Sequence, residues 1–366
     1  MLFIVKREDI IGDLQLLVNM IEKRIIIPIL GDVLVETKVN SIVLTGTDLE
    51  IQLRTKVNAD IQMEGEITIS GKKFFDICRN FPENSEIRVE LKGEEVYIQC
   101  RRARYKLRTR KAVDFPMFSA DEYFLDLSMD KRKLVQLLKC TYFCMASNDI
   151  RYYLNGIMVE INGFFLGATA SNGHRLAMYE SDLGKDSGFE GKIIIPRKGV
   201  MELLRILEAG GAESVGTKVS NSNIEIMIGE KIFNSKLIEG KFPDFKAVLS
   251  EKFSYHFIFE TVELKRCLTR ISVLSTERFK KISLLFSKNL LVIRGNNNEQ
   301  EEAYEEIDID YSGEDYEANL NISYLIEAIT NIEKEKVEIG FTEESDICVI
   351  RPANEAGLVY IIMPLQ

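Results

Sequence analysis

Residues 170–179 read ASNGHRLAMY. Asn172-Gly173 is a turn signal, because both residue types tolerate the left-handed backbone that a tight hairpin needs. The apolar run Phe164–Ala168 precedes it and Leu176–Tyr179 follows. The stretch therefore predicts two antiparallel strands joined at a tight tip. His174 and Arg175 stand directly after the turn, a polar pair beside apolar strand ends.

The tip recurs. Asp48 in TGTDLE, Asn172 in TASNGH and Asn297 in RGNNNE are 124 and 125 residues apart. Three segments with a helical period keep the same spacing: KKFFDIC, KGVMELL and SYLIEAI place Phe74, Gly199 and Tyr324 at intervals of 125 residues. A further helix is predicted early in each unit, over Ile10–Ile21, Lys131–Cys144 and Val262–Leu274. Phe115-Pro116 and Phe242-Pro243 close the first two units, and Met363-Pro364 closes the third. So long a period excludes a solenoid and implies three similar domains, set at 1–120, 121–247 and 248–366. Between the helices, alternating runs such as Ile87–Leu91 and Asn223–Ile228 are separated by turns such as Lys92-Gly93 and Gly229-Glu230. Connections that short force antiparallel pairing. The predicted fold class is α+β, each domain carrying two helices on antiparallel sheet.

The 366-residue chain has 57 Asp and Glu against 47 Lys and Arg, a net charge of −10. Spread evenly, that charge would argue against nucleic acid. It is not spread evenly: the predicted helices together carry an excess of lysine and arginine, and the strands and loops hold the acid. Helices facing one way would offer a positive surface to a phosphate backbone without reading bases. Two strands are polarised as well. CRRARYKLRTRK (100–111) puts Arg102, Arg104, Lys106, Arg108 and Arg110 on one face, with Tyr105 on the other. EQEEAYEEIDID (299–310) sets Glu302, Glu306, Asp308 and Asp310 on one face around Tyr304. One reading makes both solvated edge strands guarded by charge. The other makes them mates between chains, a head-to-tail contact that can close into a ring.

No run of 18 apolar residues predicts a membrane helix, and MLFIVKREDI lacks a basic leader followed by an apolar core. Six cysteines without a CxxC pair read as free thiols of a reducing cytoplasm, and two histidines give no metal set. No phosphate-binding glycine loop, nucleophile elbow or zinc-protease motif occurs, so no cofactor is expected. An enzyme reading would have to use the Ser171–Arg175 turn, as a DNA-modifying or nucleotide enzyme, and that turn shows no orienting acid.

The chain strongly resembles the β subunit of bacterial DNA polymerase III, the sliding clamp. The likeness lies in Ile27–Gly31, Thr45–Glu50, Lys73–Arg79 (KFFDICR), Arg151–Gly156 (RYYLNG), Ile195–Val200 (IPRKGV), Gly240–Val248 (GKFPDFKAV) and Tyr360–Pro364 (YIIMP). It implies three copies of one domain per chain, two chains closing head to tail, and helices lining a hole around duplex DNA. It implies no catalytic role. It places a partner-peptide pocket at Leu154, Ser171, Gly173, His174, Arg175, Leu176, Pro243, Val248, Met363, Pro364 and Leu365. His174 and Arg175 would bond peptide carbonyls at its rim. The implied partners are the replicative polymerase, an ATP-dependent clamp loader, other polymerases and repair proteins. DNA contacts by resemblance are Arg24, Asn148 and Lys198. The implied dimer interface sets Lys73, Arg102, Arg104 and Tyr105 against Val273, Leu274, Glu299, Glu301, Glu302 and Glu305. The turn reads Ser171-Asn172 where the family usually has Thr-Asp, and the tail MPLQ lacks the usual basic-apolar close.

Overall fold

A computed structural model of the chain describes residues 1–21, 27–118, 122–245, 253–276, 280–342 and 347–365. The expected boundaries at 120/121 and 247/248 lie outside the described residues. The first stretch of chain runs β1 (Leu2–Lys6), α1 (Arg7–Met20), β2 (Asp32–Lys38), β3 (Ser41–Thr47), β4 (Ile51–Asn58), β5 (Asp60–Met63), β6 (Glu66–Ser70), α2 (Gly71–Arg79), β7 (Glu86–Lys92), β8 (Glu95–Cys100) and β9 (Ala103–Arg108). The second runs β10 (Leu125–Asp130), α3 (Lys131–Lys139), β11 (Gly156–Asn162), β12 (Phe165–Ser171), β13 (Arg175–Asp182), β14 (Glu190–Pro196), α4 (Arg197–Glu208), β15 (Ser214–Val219), β16 (Asn223–Ile228) and β17 (Lys231–Lys236). The third runs β18 (Phe253–Glu260), α5 (Thr261–Ile271), β19 (Lys281–Ser287), β20 (Leu290–Asn296), β21 (Glu302–Asp308), β22 (Tyr316–Asn321), α6 (Ile322–Thr330), β23 (Lys336–Thr342), β24 (Cys348–Pro352) and β25 (Leu358–Ile362). One order thus occurs three times: strand, helix, four or five strands, helix, three strands.

Sequence period explains the elements. On α6, Ile322, Leu325, Ala328 and Ile329 are buried, the i, i+3 pattern of one helix face. Asn321 caps that helix, its Oδ1 accepting from the Ser323 and Tyr324 amides at 3.0 and 3.4 Å. On β16, Ile224, Ile226 and Ile228 point inward while Glu225 and Met227 are half-buried, the period of two that one buried face imposes.

The described residues form two compact units, Met1–Arg132 with Lys198–Leu237, and Lys133–Arg197 with Ile238–Gln366. In the first unit one sheet has the order β10-β15-β16-β17-β4-β3-β2-β6 and the other β5-β1-β7-β8-β9. In the second, one sheet has the order β14-β11-β12-β13-β25-β24-β23-β18 and the other β21-β20-β19-β22. All of these pairings are antiparallel. Each eight-stranded sheet joins two repeats: β17 pairs β4 from Lys231↔Thr55 to Ser235↔Ile51, and β13 pairs β25 from Arg175↔Ile362 to Tyr179↔Leu358. β9 and β21 each end a sheet.

Several expected bounds shift. The helix placed over Lys131–Cys144 stops at Lys139, and a single 3-10 turn at Tyr142–Cys144 follows, so Cys140 and Cys144 do not share a helix face. α5 likewise ends at Ile271, with a 3-10 turn over Ser272–Leu274. α1 begins at Arg7 and carries Glu8, Asp9 and Asp13, so it adds nothing to the basic excess; α2, α3, α4 and α5 carry it. The basic strand is shorter than the run CRRARYKLRTRK. Arg101 takes a positive φ of 53° and turns the chain, which leaves Arg102 in the turn and β9 exposed on both faces. Arg110 leaves the basic row to pair with the buried Asp32 at 2.5 Å.

Candidate partner-binding groove

The tip at 171–175 is built by side chains bonding their own backbone. The Ser171 hydroxyl donates to the Arg175 carbonyl at 2.8 Å and accepts from the Gly173 amide at 3.0 Å. Asn172 Oδ1 accepts from the His174 and Arg175 amides at 3.0 and 3.1 Å. In the first repeat the Thr47 hydroxyl bonds the Ile51 carbonyl and the Leu49 amide, and Asp48 Oδ1 accepts from the Glu50 and Ile51 amides. The two tips are one structure, 124 residues apart. Asn297 repeats the carboxamide role toward the Glu299 and Glu301 amides, in a turn lengthened by one residue.

Gly173 takes the left-handed position of the tip without strain, where the first repeat has Leu49 at φ 79°. The Gly173 φ is 86°, and a Cβ there would lie 2.6 Å from an Arg151 guanidinium nitrogen. Arg151 is itself held by Asp149, at 3.0 Å from Nε and 2.9 Å from Nη2. Those bonds push the Asp149 carboxyl down to about 2, helped by the charge of His174.

Arg175 does not stand at a rim. Its side chain is 10% exposed and forms a short ion pair with Glu327 on α6. A second guanidinium nitrogen donates to the Phe143 carbonyl at 2.5 Å, and the group lies over the Tyr324 ring at 4.3 Å. Asn172 also reaches the Tyr324 hydroxyl at 3.4 Å. His174, in contrast, is exposed.

Beside this tip lies an apolar floor in two patches. Leu176, Met178, Ile347, Val349 and Ile361 form one; Ala146, Leu154, Met158, Ile194 and Phe242 form the other. The half-buried Phe245 packs against both. The chain's last residues border the floor: the Met363 amide donates to the His174 carbonyl at 2.9 Å, and the Leu365 amide to the Asn319 carbonyl at 2.8 Å. Met363 and Leu365 remain 45% and 37% exposed, Pro364 is half-buried and Pro243 exposed. The second unit thus holds Leu154 in one patch, Leu176 in the other and Met363 bonded to the tip, while Val248 lies outside the described residues. Phe245, Ile347, Val349 and Ile361 were not predicted. The FP motif could have given Phe245, three residues past Phe242; the β24 residues carry no local signal.

Of the residues expected to touch DNA, Arg24 lies outside the described residues. Asn148 is exposed at a left-handed position, φ 59°. Lys198 forms an ion pair with the buried Asp48, so its charge is largely spent inside the first unit. Of the interface residues, Val273 is 80% exposed, Tyr105 is 42% exposed and lies edge-on to Phe81, and Leu274 is half-buried. Lys73, Arg102, Arg104, Glu299, Glu301 and Glu302 are exposed. Glu305 is engaged within its own chain by Arg270, at 2.5 and 2.7 Å.

Models of the DNA polymerase III β subunit match the chain in three consecutive pieces. The N-terminal domain matches residues 1–119, the central domain 128–244 and the C-terminal domain 246–366. The chain is 36% identical to the beta sliding clamp of Escherichia coli K12 over 367 residues, covering 100% of each, and 35% identical to that of Proteus mirabilis. Among solved structures it is similar to the Pseudomonas aeruginosa sliding clamp bound to griselimycin, with a TM-score of 0.95, 36% identity and coverage of 100% and 99%. It is also similar to the Caulobacter crescentus clamp with PEG bound to a putative beta-motif tethering region, at a TM-score of 0.96, 27% identity and the same coverage.

Proposed function

Because the chain belongs to the DNA polymerase III β-subunit family, the sliding clamps, we propose that it closes as a head-to-tail dimer around duplex DNA and tethers polymerases there. It is a processivity factor, a non-catalytic accessory subunit of the polymerase holoenzyme. The Ser171 hydroxyl is spent on shaping a turn, which leaves the enzyme reading without a nucleophile.

The sheet register carries the head-to-tail proposal. β4 of the first repeat pairs with β17 of the second, and β13 of the second with β25 of the third. The corresponding strand of the third repeat is β21, and the strand matching β17 and β25 in the first is β9. Both are sheet-end strands. One is acidic and the other basic. A third junction of the same kind requires a second chain, and two such junctions close the pair head to tail. The Lys198–Asp48 pair shows how the tip of one repeat meets the second helix of the next. Lys73 occupies the position of Lys198 in the first repeat, facing the Asn297 tip of the partner.

The domains are set at 1–120, 121–247 and 248–366. The floor under Leu154 and Leu176 takes a short, partly apolar peptide, as linear-motif grooves do. Its owners are the replicative polymerase, the clamp loader, and other polymerases and repair proteins. The protein works in the cytoplasm, and among the described residues no helix is long and apolar enough to cross a membrane. The test is retention after loading. The protein should stay on nicked circular DNA and leave linear DNA; equal loss from both would overturn the topological link.

A further inference from the structure

β18 ends its sheet. One of its edges pairs β23, from Phe253↔Thr342 to Glu260↔Lys336, and among the described residues no strand pairs the other. The first repeat does not leave that edge open. There β1 holds the place of β18, directly before the first helix of its repeat, and β5 covers its far edge with Ile4↔Asp60, Phe3↔Ile61 and Leu2↔Met63 as partners. β5 comes from the connection between β4 and β6, residues 59–65. The third repeat has a connection of the same length, residues 309–315, between β21 and β22. Both start alike: the Ala59 amide donates to the Asn40 carbonyl at 3.2 Å, and the Ile309 amide to the Asn289 carbonyl at 3.2 Å. They then part. The Asn289 amide donates to the Tyr311 carbonyl at 2.8 Å, which ties the third connection to the β19–β20 turn instead of to β18. A concavity of about 200 Å³ is left, lined by Ile258, Phe259 and Glu260 of β18 and by residues 307–310. It lies where the first repeat pairs Ile4 with Asp60.

We propose that the open edge of β18 is a second docking site, where an extended, basic segment of a partner protein adds as a strand. Strand addition uses the backbone of the host for affinity and alternate side chains for selection. The backbone of β18 supplies the first, as that of β1 does for β5. Charge supplies the second. Lys336 meets Glu260 at 3.5 Å, but the exposed Glu263, Asp308 and Asp310 form no ion pair among the described residues. A guest strand with lysine or arginine at alternate positions answers that acid. The apolar exposure argues against a merely guarded edge, since guarded edges carry charge at mid-strand. Ile258 is instead 48% exposed in β18, and Val262 just beyond it is 59% exposed. None of the residues expected in the peptide groove or the ring interface lines this concavity.

The experiment pairs anisotropy titration with hydrogen exchange on the full-length protein. The probe is a fluorescent peptide as long as β18, eight residues, alternating valine and lysine. It should bind, slow amide exchange over Phe253–Glu260, and lose binding when its lysines are replaced by glutamate. Asp308→Asn with Asp310→Asn should weaken it roughly fivefold at low salt, the yield of two exposed ion pairs. Ile258→Lys should abolish binding, while its melting and sedimentation match wild type because the side chain is half out of the fold. Deleting 363–366 should leave this probe's affinity unchanged, which separates the edge from the groove. Absence of binding, or binding without slower exchange in β18, would overturn the proposal. So would loss of binding on the tail deletion, which would assign the peptide to the groove. Full protection of β18 in the free protein would also overturn it, by showing that residues 309–315 close the edge themselves. The clamp reading stands or falls separately, on retention by circular DNA.

Discussion

Arg175 and His174 are neighbours in the chain and opposites in environment. Arg175 bonds Glu327, the Phe143 carbonyl and the Tyr324 ring, so it positions the tip and does not greet a ligand. Arg175→Ala should cost about 1.5–3 kcal/mol in urea unfolding, the range for hydrogen bonds to a charged group. His174→Ala, at an exposed site, should change stability by less than about 0.5 kcal/mol and act only on peptide affinity. Equal stability losses would show that the two share one role. Asp149 gives a pH test at the same scale. Its carboxyl is pushed down to about 2 by Arg151, so the folded loop gains from ionisation at all pH values above the ordinary carboxylate range. That gain disappears as pH falls from about 4 through 2. A carboxyl NMR titration should find Asp149 ionising near 2, and Arg151→Ala should return it toward the usual carboxylate value.

Two elements bear on the proposed assembly and partner binding. The tail strand β25 runs into Met363–Leu365, which bonds the hairpin tip at one residue and Asn319 at another. Deleting 363–366 removes exposed apolar side chains from the groove's border while leaving β25 paired to β13. A lost anchor is often worth about 2 kcal/mol or more, and about 1.4 kcal/mol is tenfold, so polymerase tail peptides should bind at least roughly tenfold more weakly. Peptide titration with sedimentation alongside checks this, and unchanged affinity would remove the pocket from its assigned place. The 3-10 turn after α5 lies in the proposed ring interface. Val273 is 80% exposed beside the half-buried Leu274, and among the described residues nothing covers it. Val273→Glu should fold normally and sediment as a monomer; Leu274→Glu should do the same with some loss of stability. A dimer in both variants would refute the interface. In the proposed ring, exposed ion pairs between β9 and the partner's β21 would add only about 0.2–1 kcal/mol each and so set register more than affinity.

At the scale of the whole molecule, grip and mobility have to be reconciled. Backbone contacts alone give dissociation constants of about 10⁻⁴–10⁻⁶ M at physiological salt and weaken as salt rises. A closed ring needs no tighter contact, because leaving requires opening the ring or reaching an end. Blocking both ends of linear DNA should therefore restore retention, and raised salt should speed sliding without releasing protein from circles. The monomeric Val273→Glu variant should be retained on neither substrate.

The sequence by itself determined the repeat, the fold class and the position of the tip. These rest on short-range physics. Apolar period makes helices and strands, and an Asn, Asp or Gly at a turn bonds or permits its own backbone, so Asp48, Asn172 and Asn297 are legible at a fixed spacing. The pocket residues came from a likeness spread along the whole chain. Tertiary structure alone decided which charges were available. Lys198 reads as a helix lysine free for DNA and is instead bound to Asp48, 150 residues earlier. Arg175 reads as a rim donor and is instead held by Glu327 and Tyr324. It also decided that Phe245 joins two apolar patches, that Arg102 turns where a strand was expected, and that the compact units cut across the second repeat. Each of these depends on partners far away in the chain. Periodicity records which face of an element is buried, and not what the neighbouring element brings to meet it.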